Sequence, residues 1–489
     1  MKPAKILLFV LYVLGGLGII MFVFPKDGIK INDDFTLYFP SFYDMFLPDT
    51  VQYADVDSIV NLQLEADSLI ALLETDSVDN DSVIIDEETL RQLIHQIEFP
   101  DSNKSILYPF FQKVSQARKT GEFVRILHYG DSQIEGDRIT AFLRSKLQAQ
   151  FGGMGVGLMP GKQPYDFSFS IVQTNSDNWD RYTIFGDVDT NVHHSKYGAL
   201  GAFSRFAPLN LDTVINDSVE YSAWVEFSKS NISYGNTRHF TRCKVYYGNN
   251  EQAVKLTLSA DGADLDSVDL PTNAFLNVYS YNFSNAVDNV KIKFRGYDSP
   301  DIYGITLDGG SGLAVDNIGL RGSSGTIFTK MSKSHLSQMY DLLNVEMIIL
   351  QFGGNVLPYI GSKKEAQDYG NWFYSQIIRV KSARPGVPVI VIGPSDMSTK
   401  VKDKYVTFEY LEVVRDVLRE AAFKANAGYW DMYEAMGGKN SMPSWVNADP
   451  PLAGKDYTHL TPRGAQVIAN MFYNSFIYEY NEFLKLNQE

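Results

Sequence analysis

Short apolar runs alternate with amphipathic stretches of helical length in two separate parts of this sequence, and that alternation constrains the fold more than any other feature. Residues 124–129 form a strand candidate and 138–151 a helix candidate. The pattern resumes far downstream with strands at 313–320, 345–351, 387–392 and 429–433, and helices at 365–383, 408–425 and 462–478. A further amphipathic helix is expected at 105–119, where Leu107, Phe110, Phe111 and Val114 recur at helical spacing. Strands joined by helices of this length pair in parallel through right-handed crossovers. The expected class is therefore α/β, a doubly wound parallel sheet of about five strands. In such sheets a site lies beyond the carboxyl ends of the strands.

Between residues 162 and 309 the texture changes. Short aromatic and β-branched runs at 167–172, 219–227, 241–247, 254–258, 275–283 and 290–294 are separated by Gly, Asn and Asp clusters. Many short strands at such spacing argue for a β-sandwich, here inserted into the α/β domain. Its aromatics include Trp179, Tyr182, Tyr197, Tyr246 and Tyr247. Such rings either stack on sugars from an exposed face or fill a core, and the sequence leaves both readings open.

The expected organisation is a membrane segment at 1–25, an acidic and largely flexible stalk at 26–104, the α/β domain in two parts at 105–161 and 310–489, and the insert at 162–309. The run 6–24 is apolar and glycine throughout, preceded by Lys2 and Lys5 and followed by Lys26. About 20 such residues can cross a bilayer, and lysines at the start favour a cytoplasmic N-terminus. The alternative is a cleaved signal segment, which usually has a shorter apolar region and a small-residue cleavage site of a kind residues 22–25 do not offer. The expectation is an anchor with the remaining chain outside the cytoplasm, in a bacterial periplasm or at a cell surface. From Asp55 to Asp101 there are thirteen acidic residues against one basic residue, Arg91. That density suits a mobile stalk, although Leu62, Leu69, Leu72 and Leu73 could line a short helix. The formal charge of −15 excludes nucleic acid as an expected partner. One cysteine, Cys243, excludes an intrachain disulfide and a cysteine-based zinc site. No histidine pair has helical ligand spacing, so no metal is expected, and no cofactor.

Four elements carry chemistry. Gly130-Asp131-Ser132 follows the first strand candidate, where a serine at a strand-to-helix turn exposes its hydroxyl near helix N–H groups. Asp456-Tyr457-Thr458-His459 precedes Thr461-Pro462, a natural cap and first position for the last helix. A carboxylate three residues before an imidazole can orient it to take the serine proton. Residues 317–323 and Gly353-Gly354-Asn355 each follow a strand and can supply backbone and amide donors to an oxyanion. Singly, each is a common turn.

Together and in this order, they resemble the SGNH (GDSL) hydrolase superfamily over about residues 125–160 and 312–480. The resemblance implies Ser132 as nucleophile, Asp456 and His459 as acid and base, and the N–H groups of Ser132 and Gly322 with the Asn355 amide as oxyanion donors. Gln133 stands where many members have Leu, and Val356 where Asp often follows the Asn. An SGNH domain interrupted by a β-sandwich resembles bacterial peptidoglycan and polysaccharide O-acetylesterases. It implies an acylated polysaccharide or peptidoglycan as substrate and admits a membrane-bound acyltransferase as partner. An O-acetyltransferase using the same residues, and a silent glycan-binding protein, are the rival expectations.

Overall fold

The computed structural model describes residues 3–25, 28–31, 36–40, 51–76, 87–209 and 219–486. The chain forms two units, Met1–Tyr53 and Ala54–Glu489. In the first, α1 (Pro3–Val23) is a 21-residue apolar helix with no buried residue. At 1.5 Å per residue it is about 32 Å long, enough for a hydrocarbon core of about 30 Å. Ile29–Lys30 pairs antiparallel with Thr36–Leu37 beyond it.

The second unit is built on a five-stranded sheet: β1 (Phe123–Gly130), β13 (Gly312–Gly319), β14 (Val345–Gln351), β15 (Val389–Ile392) and β18 (Gly428–Trp430). All are parallel, in the order β13-β1-β14-β15-β18. Each strand divides its apolar side chains between the two faces with the period of two that a pleated strand imposes. Val124, Ile126, Met347, Ile349, Ile390 and Ile392 pack in one cluster; Leu127, Tyr129, Ile348, Leu350, Val389 and Val391 pack in the other. The first face is covered by α4 (Tyr108–Thr120), α5 (Thr140–Phe151) and α9 (Pro462–Leu486), the second by α6 (Lys333–Leu343), α7 (Lys363–Ala383) and α8 (Leu411–Lys424). In chain order within this sheet the strands run 2-1-3-4-5, so direction reverses between β1 and β14. This reversal is where doubly wound sheets open a crevice.

Among the described residues, eleven strands lie between α5 and β13: β2 (Gly155–Met159), β3 (Ile171–Asn175), β4 (Asp180–Thr183), β5 (Ala202–Arg205), β6 (Tyr221–Lys229), β7 (Phe240–Gly248), β8 (Val254–Ala260), β9 (Ala263–Leu270), β10 (Asn277–Val287), β11 (Asn289–Gly296) and β12 (Asp301–Asp308). One sheet has the order β9-β8-β11-β6-β3 and the other β10-β7-β12-β5-β4, with β2 also pairing β12. Both contribute to one apolar cluster, with Ala223, Val225, Phe227, Leu256, Leu258, Ile292 and Phe294 from the first sheet, and Cys243, Val245, Ile305 and Leu307 from the second. This is a sandwich. Because β2 pairs with β12, the antiparallel part begins at Gly155, earlier than residue 162. A polar β9 and the short β4 and β5 lack the apolar pattern and were not expected as strands.

The sandwich is joined to the parallel sheet by buried charge. Arg125 of β1 pairs with Asp308 of β12 and Asp316 of β13, each at 2.5 Å and all at most 1% exposed. Such groups are tolerated inside only when paired and hydrogen-bonded, and Arg125 Nε also donates to the Leu343 carbonyl at 3.0 Å. Gly157 brings β2 against this group: at its φ of +83°, an added Cβ would lie 2.0 Å from Asp316 Oδ1.

The acidic segment is a correction. From Ala54 to Asp76 and from Glu87 to Lys104 it is part of the folded unit, not a flexible stalk. Helix α2 (Val56–Asp76) buries Val56, Ala66 and Ile70 in the cluster that includes α9. Asp67 accepts hydrogen bonds from Asn470 and, at 2.6 Å, from Asn474 of α9. Asp57 and Glu65 stay exposed. Leu62 is 47% exposed, Leu69 packs at the cluster's margin, and Leu72 and Leu73 lie outside the described side chains. After α3 (Glu87–Leu93), Ile94, Ile97 and Phe99 are buried, and Glu98 exchanges backbone hydrogen bonds of 2.7 and 2.9 Å with Tyr429 of the edge strand β18. The charge count misled because Asp57 and Glu65 occupy the outer face of a helix whose inner face is apolar, while Asp67 is paired with asparagines of α9.

Candidate active site

Ser132 sits in the turn directly after β1, at the reversal point of the sheet. The turn is fixed by Asp131, whose Oδ1 accepts the Gln133 N–H at 2.9 Å while its own N–H donates to the Gln351 carbonyl of β14 at 3.3 Å. Asp131 is 4% exposed, and burial pushes its carboxyl up to about 6 against the opposing pull of the Gln133 N–H and of His459. Under the turn, His128 is fully buried between Gln351 and Thr140, at 3.0 Å from each. Burial lowers its imidazole to about 4, so it is neutral packing.

Asp456 and His459 arrive from the loop before α9. Asp456 Oδ1 accepts the N–H groups of Thr458 and His459, both at 3.1 Å, which closes a tight turn through Tyr457 at φ 54°. Its Oδ2 lies 2.7 Å from His459 Nδ1. Burial raises this carboxyl, but the His459 ring and these N–H groups outweigh burial and hold it below the ordinary carboxylate value. An ionised carboxylate only accepts, so Nδ1 carries the ring proton and Nε2 is left as acceptor. His459 Nε2 is 2.8 Å from Ser132 Oγ. Serine, imidazole and carboxylate thus form one hydrogen-bonded line.

Asn355 follows β14 and lines the same cavity as Ser132 and His459. Its Nδ2 donates to the Ser323 carbonyl at 3.1 Å, which leaves the second amide hydrogen for another acceptor. Gly322 is exposed and is absent from that cavity's lining; it stands next to Ser323 at φ 79°. The backbone N–H groups of Ser132 and Gly322 find no acceptor among the described residues.

Sequence reasoning noted Gln133 only as a departure from a motif. In the structure it straddles the imidazole: Nε2 donates to the Thr458 carbonyl at 2.6 Å and to Ser395 Oγ at 3.1 Å, and Oε1 accepts the Leu460 N–H at 3.4 Å. A hairpin of β16 (Ser398–Val401) and β17 (Lys404–Thr407) holds the same loop from another side. The Ser398 N–H donates to the Tyr457 carbonyl at 3.0 Å, and the Tyr405 and Tyr457 rings stack 3.5 Å apart. These residues carry no local motif; a long-range pairing such as Gln133 with Leu460 is invisible before folding. Trp179, Tyr182, Tyr197, Tyr246 and Tyr247 are all at most 9% exposed and belong to the interior, so they offer no sugar-stacking face. No group of three or more metal-ligating side chains occurs among the described residues.

No family model matches this sequence, and no curated protein does. Among solved structures, a peptidoglycan O-acetylesterase superposes with a TM-score of 0.57 at 19% identity, covering 76% of this chain and 96% of its own. A family two carbohydrate esterase from Clostridium thermocellum is matched over 54% of this chain and 93% of its own, at 10% identity and a TM-score of 0.23. A GDSL-like lipase from Parabacteroides merdae is matched over 34% and 74%, at 14% identity and 0.26. The first likeness shows a shared fold: a parallel α/β sheet with additional antiparallel sheets.

Proposed function

We propose that this protein is a serine esterase that removes O-acetyl groups from an envelope or extracellular polysaccharide. The observation that carries the reading is the line from Ser132 Oγ through His459 to Asp456, at 2.8 and 2.7 Å, beside Asn355 at the crevice of the sheet. Ser132 Oγ would attack the ester carbonyl carbon as its proton passes to His459 Nε2. The oxyanion would be held by Asn355 Nδ2 and the N–H groups of Ser132 and Gly322. Collapse breaks the bond to the sugar oxygen, which takes the proton from His459 and leaves an acetyl-serine. Water, deprotonated by His459, then releases acetate and restores Ser132.

The size of the cavity supports a short acyl group. The cavity between Ser132, Asn355, Phe352, Met397, Pro394 and His459 is about 80 Å³, space for two or three waters. A short acyl group fits this space. The polysaccharide is supported by the fold shared with a peptidoglycan O-acetylesterase, and the extracytoplasmic, membrane-anchored site by α1. Transfer of the acyl group to a second sugar hydroxyl would use the same residues, and no observation favours it.

The test is a fluorophosphonate probe on the folded protein, followed by mass mapping. Adduct on Ser132, lost in Ser132→Ala together with release of acetate from acetylated polysaccharide, is expected. Stable labelling of another serine with Ser132→Ala fully active would overturn the assignment.

A further inference from the structure

Beside the triad opens a second, wider space. A cleft of about 480 Å³ is bounded by Glu135, Arg138, Tyr165, Phe167, Arg321 and Leu460. Its walls are continuous with three of the four motifs of the candidate site: Glu135 lies three residues after Ser132, Arg321 adjoins Gly322, and Leu460 adjoins His459. The fourth wall belongs to the inserted region. We infer that this cleft is the saccharide subsite, which holds the sugar bearing the ester while the small cavity on the Asn355 side takes the acyl group. The inference rests on the esterase reading and adds where the alcohol half of the substrate lies.

Three features argue for a sugar. The volume is within the range of small-ligand pockets, of order 300–1,000 Å³, and several times the acyl cavity. Phe167 stands 58% exposed at this cleft, between two hydrogen-bonded neighbours. The Tyr165 hydroxyl donates to the Gly319 carbonyl, and the Phe169 N–H donates to the Gly136 carbonyl at 2.9 Å. An added Cβ at Gly136, φ +65°, would lie 3.2 Å from the Phe167 carbonyl, so a bare glycine lets this segment seat against the nucleophile loop. A large apolar ring presented to solvent on a fixed backbone suits the C–H face of a pyranose. Opposite charges supply the hydroxyl partners. Arg321 is 72% exposed and meets Glu135 only at 3.4 Å, leaving donors of its planar fork and an acceptor of the carboxylate for vicinal hydroxyls. Arg138 is spent differently: Nε donates to the Glu135 carbonyl at 3.2 Å and braces that wall.

Binding remote parts of a substrate positions its reacting group, so the cleft would act on turnover of saccharide esters rather than on small esters. The experiment measures kcat/KM for an O-acetylated peptidoglycan disaccharide and for 4-nitrophenyl acetate in the full-length protein, Phe167→Ala and Arg321→Ala. We expect the saccharide-to-aryl ratio of kcat/KM to fall at least tenfold in each variant. A ratio unchanged in both, with the parent protein active on the disaccharide, overturns the inference and leaves the esterase reading standing. If no acetyl ester is hydrolysed by the parent protein, the esterase reading fails instead. Calorimetry of Ser132→Ala with the deacetylated disaccharide then decides the cleft: binding abolished by Phe167→Ala supports it, and absent or unaltered binding overturns it.

Discussion

Gln133 shows how a single side chain holds the backbone on both sides of His459 without a hydrogen bond to Ser132 or Asp456. Its amide accepts from one neighbour of His459 and donates to the other. Replacement by Leu, similar in size, would leave the Thr458 carbonyl and Leu460 N–H unpaired in a buried place, each at a cost of about 1–3 kcal/mol. We expect Gln133→Leu to stay folded and to lose about tenfold or more in kcat on a small acetyl ester, with little change in KM. An unaltered kcat would assign Gln133 to packing alone. Asp131 beneath it gives a pH signature. Burial holds its carboxyl at about 6 against a reference of 3.8, so the folded chain keeps a proton that the unfolded chain releases. Stability therefore declines as pH rises through this window, by about 3 kcal/mol in all for a shift of about two units. Asp131→Asn keeps the oxygen that accepts the Gln133 N–H and removes the ionisation. The difference in Tm, variant minus parent, should grow from pH 4 to pH 6 and then level off; a flat difference would contradict the assignment.

At the scale of elements, α2 is where burial overrode composition. Its sequence is strongly acidic, yet the side chains that recur at helical spacing on one face pack against α9. Ile70 is 2% exposed there. Ile70→Ala should destabilise the folded unit by about 2–5 kcal/mol, the cost of emptying a core site, whereas a mobile stalk would register no change. Denaturant midpoints of the two proteins decide it. The loop carrying Asp456 and His459 depends similarly on its surroundings. Gln133 and the β16–β17 hairpin grip it from separate places in the chain.

For the whole molecule, the sandwich and the parallel sheet share buried charge at Arg125 and act as one framework. The inserted region leaves just after the helix that follows Ser132 and returns just before β13, so its first segment reaches the crevice. The N-terminal unit raises a question of topology. If α1 anchors the chain with its lysines inside, protease added to intact spheroplasts should degrade the folded unit, and carbonate washing should leave the protein in the membrane fraction. Protection from protease would contradict an extracytoplasmic site.

The sequence alone determined the class of fold, because periodicities of two and 3.6 residues report which faces are buried. It also singled out Ser132, Asn355, Asp456 and His459, because short-range backbone requirements leave local traces: a strand-end turn, a carboxylate three residues before an imidazole, a capped helix start. Tertiary structure decided everything that depends on residues meeting across the chain. Only folding brought Gln133 to the two neighbours of His459, placed the five sandwich aromatics inside and left Phe167 out. It also turned an acidic segment into a packed helix. Pairings across hundreds of residues are set by packing and desolvation, which local sequence does not encode.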